Sequence, residues 1–302
     1  MNSEKNLNAS EHESPLIERF EAARGVRFRA REGVRNICLE ISYRGDGFMG
    51  YQSQPHGNTV QDTLSRAWQT LTQETPTLYG CSRLDAGVHA QQFFLNVFSR
   101  TNRSNEDITR SLNGILRSGM QANVSVYRCF DAGPDFNARF DTLGKHYRYR
   151  LWYGRGHHAQ LTPAAWAVRS RDFSIETLRR TLQQCVGEFD FSAFRASDCT
   201  AKSTVRRIHK VEVGQDQLYP EAVFLDFWGE GFLKNMIRNL VGTGVEIATQ
   251  KLSADALTAA FTHKDRTRVG QCAPAHALSL ERVFYQQADW LRATGFSKVE
   301  FT

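Results

Sequence analysis

Long hydrophobic runs are missing from this sequence. Its uninterrupted apolar stretches, such as Ala164–Val168 and Ala222–Leu225, fall far short of the ~18–20 apolar residues that a membrane helix needs, which excludes a bilayer-spanning helix. The start, Met1-Asn2-Ser3-Glu4, lacks an apolar export core, and five glutamates fall by Glu21. Neither a secretory signal nor an acid-poor organellar presequence is read there, so the expected location is cytoplasmic. Proline is scarce, at 7 residues, and the 22 glycines follow no period, which excludes collagen-like and low-complexity architectures. The six cysteines (Cys38, Cys81, Cys129, Cys185, Cys199, Cys272) include no C-x-x-C pair and read as reduced core or half-buried residues, not as a disulfide framework.

Motifs for bound cofactors are also absent. Gly45, Gly47 and Gly50 are close together, but their spacing is neither G-x-G-x-x-G opening a helix nor a P-loop. None of the nine histidines forms H-E-x-x-H, and His157-His158 sits beside Gly156 without a nearby cysteine. No G-x-S-x-G elbow occurs. What remains is acid–base or carboxylate chemistry without a bound cofactor or metal.

The chain has 302 residues, 41% of them hydrophobic and 23% charged, a composition that builds a core and, at ~150 residues per domain, suggests two domains. The formal net charge of +6 is unevenly spread. Residues 1–21 are acidic, whereas Arg24, Arg27, Arg29, Arg31 and Arg35 face only Glu32 within residues 24–35. A basic body with an arginine-rich arm suits a polyanionic partner, because phosphate neutralisation releases counterions. Residues 1–35 are therefore read as a flexible polar tail, with Arg24 to Arg35 as a basic arm against RNA or against the body.

Regular structure is expected from Asn36 onward. Ile37, Leu39 and Ile41 alternate with Cys38, Glu40 and Ser42 as in a strand, and Gly45-Asp46-Gly47 breaks it. Thr59 is placed to cap a helix whose buried face is Val60, Leu64, Ala67, Trp68 and Leu71. Short strands are expected at Thr77–Cys81, Phe93–Phe98 and Val124–Cys129, with a helix through Ile108, Leu112, Ile115 and Leu116 between the last two. In residues 145–153, Tyr147, Tyr149, Leu151 and Tyr153 share one strand face, and His146, Arg148, Arg150 and Trp152 share the other. Further strands are read at Val205–Val213, Ala222–Phe227 and Leu280–Tyr285. Helices are read at Ser174–Val186, Phe232–Thr249 and Ala254–Phe261. The pattern is α+β with mostly antiparallel sheets, divided into residues 36–140 and 141–302, and no order is assigned to residues 286–302.

Asp85 is the most informative residue. It follows Arg83 by two positions, precedes Ala86-Gly87 and His89, and lies in a loop between apolar segments, where scaffolds present chemistry. An aspartate with a pKa near ~3.9 is ionised at neutral pH and can act as nucleophile or base when held in place. The structural alternative is a turn-capping Asp85 beside an Arg83 in a surface ion pair.

The segment Arg83-Leu84-Asp85-Ala86-Gly87-Val88-His89-Ala90 resembles the signature of the tRNA pseudouridine synthase A family, usually Gly-Arg-Thr-Asp-x-Gly-Val-His-Ala. The likeness covers most of residues 36–285. In order along the chain come Tyr43 to Gln54, Thr59-Val60-Gln61-Asp62, Phe136-Asn137-Ala138-Arg139-Phe140, Tyr147-Arg148-Tyr149, Asp190-Phe191-Ser192-Ala193-Phe194, Phe232 with Met236 to Gly242, and Ala273-Pro274-Ala275.

The resemblance implies an isomerase that breaks the uridine N1–C1′ bond, turns the uracil and joins C5 to C1′, without redox cofactor, ATP or metal. Asp85 would be the catalytic carboxylate, and Arg83 would orient it and help fill the space of an extruded base. Tyr147 would lie against the uracil ring, and Arg238 near the carboxylate, with Lys234 a lesser substrate contact at i, i+4 on the same helix. The alternatives are a core aromatic for Tyr147 and a solvated basic stripe for Lys234 and Arg238. Arg148, Arg150, Arg206, Arg207 and Lys210 are candidate phosphate contacts. The implied partner is RNA, usually the anticodon stem-loop of tRNA, bound by a homodimer. The expected architecture is two ferredoxin-like, RNA-recognition-like α+β domains flanking a basic cleft that holds Asp85.

The sequence departs from the family pattern at Ser82 (usually Gly), Leu84 (usually Thr), Arg44 (usually Asp) and Tyr51 (commonly Trp). Leu84 and Arg44 motivate two rival readings, a non-catalytic RNA-binding protein on the same scaffold and a synthase for a different RNA. A carboxylate-dependent nucleosidase is a third, though no second carboxylate is paired with Asp85 in sequence.

Overall fold

In the computed structural model, residues 16–22, 25–55, 57–119 and 123–295 are described. Contacts divide the chain into two units, the first comprising residues 1–43, 51–83 and 92–141, the second residues 44–50, 84–91 and 142–302. Both mix helices with strands that pair mostly antiparallel. No helix among the described residues is long and apolar enough to cross a membrane.

The first unit holds β1 (Ile17–Ala22), β2 (Gly25–Ala30), β3 (Arg35–Tyr43), α1 (Val60–Thr72), β4 (Leu78–Gly80), most of β5 (His89–Ser99), α2 (Asn105–Ser118) and β6 (Val124–Asp131). Its sheet runs β6-β3-β5, with β4 antiparallel to β5. The alternation in β3 is not an in–out pattern, because both faces are covered. Glu40 is buried and accepts hydrogen bonds from Gln92 Nε2 at 2.7 Å and Arg128 Nε at 2.6 Å. Thr59 caps α1 by accepting from Asp62 N at 3.1 Å while its hydroxyl donates to the Asp62 carboxylate at 2.6 Å, a reciprocal cap that satisfies a helix-end amide. Asn137 Oδ1 takes the amides of Arg139 and Phe140, so the Phe136–Phe140 string serves a turn.

The basic arm differs from its sequence reading. Residues 1–15 lie outside the described residues, but β1 and β2 pair as an antiparallel hairpin, and Phe28 packs with Phe98 and Tyr79. Three of the arm's arginines meet carboxylates of their own chain. Arg27 Nη2 contacts both oxygens of Asp141 at 2.7 and 2.9 Å, Arg29 lies 3.7 Å from Asp135, and Arg35 grips Asp131 through two hydrogen bonds of 2.7 and 2.9 Å. Charge that composition offered to an outside polyanion thus holds this hairpin and the start of β3.

The second unit holds β7 (Gly144–Trp152), β8 (Trp166–Ala167), α3 (Ile175–Gln183), β9 (Gly187–Asp190), β10 (Val205–Gln215), β11 (Ala222–Gly229), α4 (Met236–Ala248), α5 (Ala256–His263), β12 (Leu278–Phe284) and α6 (Gln287–Thr294). Its antiparallel sheet runs β9-β10-β11-β7-β12. His89 and Ala90, at the start of β5, add parallel pairing to Ser279 and Leu280 of β12, and β8 lies parallel to β7. The expected strand faces of β7 appear: Tyr147, Tyr149 and Leu151 are buried, and His146, Arg148 and Arg150 are half-buried. α4 is buried on nearly every side, the expected outcome for a helix apolar all round.

Three further differences have physical reasons. The Asp85 loop, read within the domain before residue 140, groups with the second unit because residues 44–50 and 84–91 pack against its later segments. The helix read from Phe232 begins only at Met236, since Asn235 adopts a left-handed backbone (φ 62°) that interrupts it. Lys234 therefore precedes the helix, and its assumed i, i+4 relation to Arg238 does not hold. Finally, residues 287–294 form α6, anchored by the fully buried Trp290 against Phe284 and Trp228.

Candidate active site

Asp85 opens a tight turn closed by Val88 N donating to its carbonyl at 3.1 Å, with Gly87 at φ +80°. Side-chain-free backbone presses on this turn from residues 44–50. A Cβ at Gly50 would sit 2.7 Å from the Leu84 carbonyl oxygen, and one at Gly45 would collide with the Val88 carbonyl. The glycine cluster that fitted no phosphate loop therefore serves a close approach of two backbones.

His89 fastens the same turn. Its Nδ1 accepts from Gly45 N–H at 2.9 Å, which leaves Nε2–H to donate to the His276 carbonyl at 2.9 Å. Burial lowers its pKa, in keeping with a neutral ring whose two nitrogens are both engaged.

The Asp85 side chain is 23% exposed. Burial pushes its carboxyl above the ordinary aspartate range, while Arg238, by its charge and by its contact with the carboxylate, and the charge of Lys234 pull the other way and Asp198 adds to the rise. Arg238 Nη1 lies 3.6 Å from Asp85 Oδ2, an ion-pair distance beyond hydrogen-bond length. Arg238 sits in the first turn of α4, where a cation opposes the helix dipole. Specific acceptors hold it there: its Nε donates to the Ala273 carbonyl at 2.7 Å and its Nη1 to Asn235 Oδ1 at 2.9 Å.

The other expected site residues fall as follows. Lys234 is exposed, and its Nζ bonds Asp198 Oδ2 at 2.6 Å, which raises its pKa; Asp85 adds to that rise more weakly. Tyr147 is buried in β7, its ring edge-on to Phe232 at 5.1 Å. Arg83 belongs to the first unit, where it is exposed and its charge, after desolvation, lowers the pKa of Arg139. Asp85 and Arg238 thus form one ion pair, Lys234 adds its field, and Tyr147 packs with Phe232.

Several candidate phosphate contacts are engaged by carboxylates. Arg148 forks onto Asp226 at 2.8 and 2.9 Å, Arg150 meets Glu281 at 2.9 Å, Arg207 meets Glu188 at 3.0 Å and Lys210 meets Glu212 at 2.7 Å. Arg206 Nη1 donates to the carbonyls of Ser203 and Val205.

A profile for tRNA pseudouridine synthase matches residues 182–286, which include α4 and the Ala273–Ala275 segment. A tRNA pseudouridine synthase A of Geotalea uraniireducens is 34% identical over 252 residues, 83% of this chain and 100% of the relative. A tRNA pseudouridine synthase A of Geobacter sp. strain M21 is 35% identical over 257 residues, covering 84% of this chain and 100% of the relative. The chain belongs to the tRNA pseudouridine synthase A family. Among solved structures, a chain of a Cbf5-Nop10-Gar1 complex matches at TM-score 0.32 and 10% identity, covering 81% of this chain and 58% of its own, too loosely to carry an argument.

Within the family, three of this chain's four departures have a local setting that accounts for them. Leu84 is buried beside Gly50, and Arg44 pairs with Asp46 at 2.7 Å. Tyr51 is buried against Phe93 with ring centroids 4.4 Å apart. Sequence reasoning missed the residues that hold Arg238. Asn235 was hidden inside an assumed helix, and the Ala273 carbonyl, a backbone atom, carries no residue-type signal. It also missed Tyr149, whose hydroxyl donates to the Pro274 carbonyl at 2.8 Å and so ties β7 to the segment that receives Arg238.

Proposed function

We propose that this chain isomerises uridine to pseudouridine in tRNA, with Asp85 as the catalytic carboxylate. The observation that carries the reading is the half-buried Asp85 carboxylate, set in a turn clamped by Gly45, Gly50 and His89 and held at ion-pair distance from an anchored Arg238. The reaction breaks N1–C1′, rotates the uracil and forms C5–C1′; the C5 proton leaves and N1 gains a proton, so no net oxidation occurs. Attack on C1′ and removal of a sugar proton both require Asp85 ionised and next to the ribose. Arg238 favours that ionised state, and Lys234 adds positive potential at the point where a phosphodiester approaches.

Tyr147 offers the uracil a stacking face backed by Phe232, and Arg83 assists in holding the base out of the RNA stack. The family reading extends to two ferredoxin-like, RNA-recognition-like domains with a basic cleft, acting as a homodimer on the tRNA anticodon stem-loop in the cytoplasm. Family membership supports these features.

The test is release of tritium from C5-labelled uridine in bulk tRNA. The wild-type chain is expected to release it and Asp85→Asn to release none, with tRNA affinity kept within about threefold, because one neutralised carboxylate removes no phosphate contact. Undiminished release by Asp85→Asn overturns the proposed chemistry, and no release by the wild-type chain favours an RNA-binding role without catalysis.

A further inference from the structure

Asn235 stands immediately before α4 in a left-handed conformation, φ 62° and ψ 2°. Asparagine tolerates this region better than most residues. An asparagine at a helix N-terminus ordinarily turns its side chain back onto a free amide of the first turn. This one makes no such capping bond. Its Oδ1 accepts from Arg238 Nη1 at 2.9 Å instead.

That same Nη1 is the atom 3.6 Å from Asp85 Oδ2. Arg238 Nε is taken by the Ala273 carbonyl at 2.7 Å, and Ala273 N returns a bond to the Arg238 carbonyl at 3.2 Å. The guanidinium is therefore oriented by two acceptors, neither of them the carboxylate. Lys234 follows the same rule, giving its 2.6 Å bond to Asp198. Both cations that act on Asp85 hold their short contacts elsewhere.

We propose that Asn235 is a positioning residue that, with the Ala273 carbonyl, holds the Arg238 guanidinium in a long contact with Asp85 and keeps it out of a close fork. The positive charge then supports the ionised carboxylate, while its oxygens stay available to the ribose. A direct Arg–carboxylate fork would be a strong, charge-assisted pair. It would occupy those oxygens and pull the pKa further down, weakening the group as base or nucleophile. The inference rests on the catalytic reading of Asp85. The other groups that act on Asp85 electrostatically are Lys234 from the stretch before α4, Asp198 from residues 195–204, and the Cys272 thiol beside Ala273. None of them bridges Arg238 to Asn235.

The test compares Asn235→Gly with Asn235→Asp in the full chain, using single-turnover pH profiles on tRNA. Glycine keeps the left-handed backbone and deletes the acceptor. Aspartate keeps the acceptor and strengthens its grip. For Asn235→Gly, the acid limb is expected to move down by about one pH unit and the rate at neutral pH to fall about tenfold, with KM for tRNA unchanged. For Asn235→Asp, the limb moves the opposite way and most of the rate lost in the glycine variant is restored. A limb unmoved in both variants, or a glycine variant that loses activity only in proportion to its folded fraction, overturns the proposal and leaves Asn235 a turn residue. Carboxyl-carbon NMR titration of Asp85 in Asn235→Gly reads the same shift without turnover. An active Asp85→Asn variant would sink the catalytic reading and this inference with it, whereas an inactive one beside an unshifted titration would sink this inference alone.

Discussion

The second unit holds two largely buried aspartates next to arginines, and they are treated in opposite ways. Asp226, on β11, accepts from His146 Nε2 at 2.6 Å and from Arg148 at 2.8 and 2.9 Å. Burial alone would raise its pKa, but these bonds outweigh burial and the carboxyl titrates below its ordinary value. Asp85 has an arginine at 3.6 Å instead, and burial prevails, so its carboxyl titrates above the ordinary value. Asp226, which stiffens a sheet, is saturated with donors, whereas the chemistry proposed for Asp85 requires an oxygen kept available.

Substitution of each aspartate by asparagine should break the comparison most sharply. Asp85→Asn is expected to lower turnover at least about 10³-fold, as loss of an essential acid–base or nucleophilic group does. Its thermal midpoint at pH 7 should be unchanged or slightly raised. A raised folded pKa means that ionisation of Asp85 opposes folding above the unfolded value, and the variant removes that cost. A lowered midpoint would show that Asp85 is a structural anchor.

Asp226→Asn should do the reverse. Stability measured by urea unfolding is expected to drop by about 3 kcal/mol, because Arg148 and His146 lose a buried anionic partner, with activity falling only as the folded fraction falls. Because its folded pKa is depressed, the contribution of Asp226 is fully present above the ordinary value of 3.8 and is lost as pH falls through the folded value. Unfolding curves of wild type and variant should therefore converge on acidification below that range; a constant gap would contradict the assignment.

The pH dependence of activity sharpens the same contrast. The acid limb of the single-turnover rate should lie above 3.8, in the direction that burial drives Asp85, while the folded state still holds. The smallest effect is expected at an exposed pair. Arg44→Ala, which removes the partner of Asp46, should change stability by less than about 0.5 kcal/mol and leave tritium release unchanged, as solvent screens such contacts. A large loss of release would make Arg44 a contact for substrate.

These outcomes bear on how far residues alone reveal the molecule. Local physics was legible: Thr59 caps α1, the helix read from Ser174 begins one residue later at Ile175, and the buried face of β7 follows its alternating tyrosines. The pairing of Asp85 with Arg238 was legible, since their motifs lie far apart in the chain and their side chains come within 3.6 Å. The basic arm was left between RNA and the body, because charge counts do not show that Asp131, Asp135 and Asp141 meet its arginines. α4 misled for a related reason: an apolar period continues through Asn235, and a single left-handed residue breaks it.

The sequence by itself determined most element types between residues 36 and 285, the loop that carries Asp85 and the family, because these depend on side chains that are neighbours in the chain or at fixed spacing within one element. Tertiary structure alone decided that Arg238 and Lys234 give their shortest bonds to partners other than Asp85, where the arm's charge goes, and that glycines 45 and 50 exist to let backbone meet backbone. Such choices turn on differences of an ångström or less between competing acceptors. Residues from distant segments set those distances, and no local pattern encodes them.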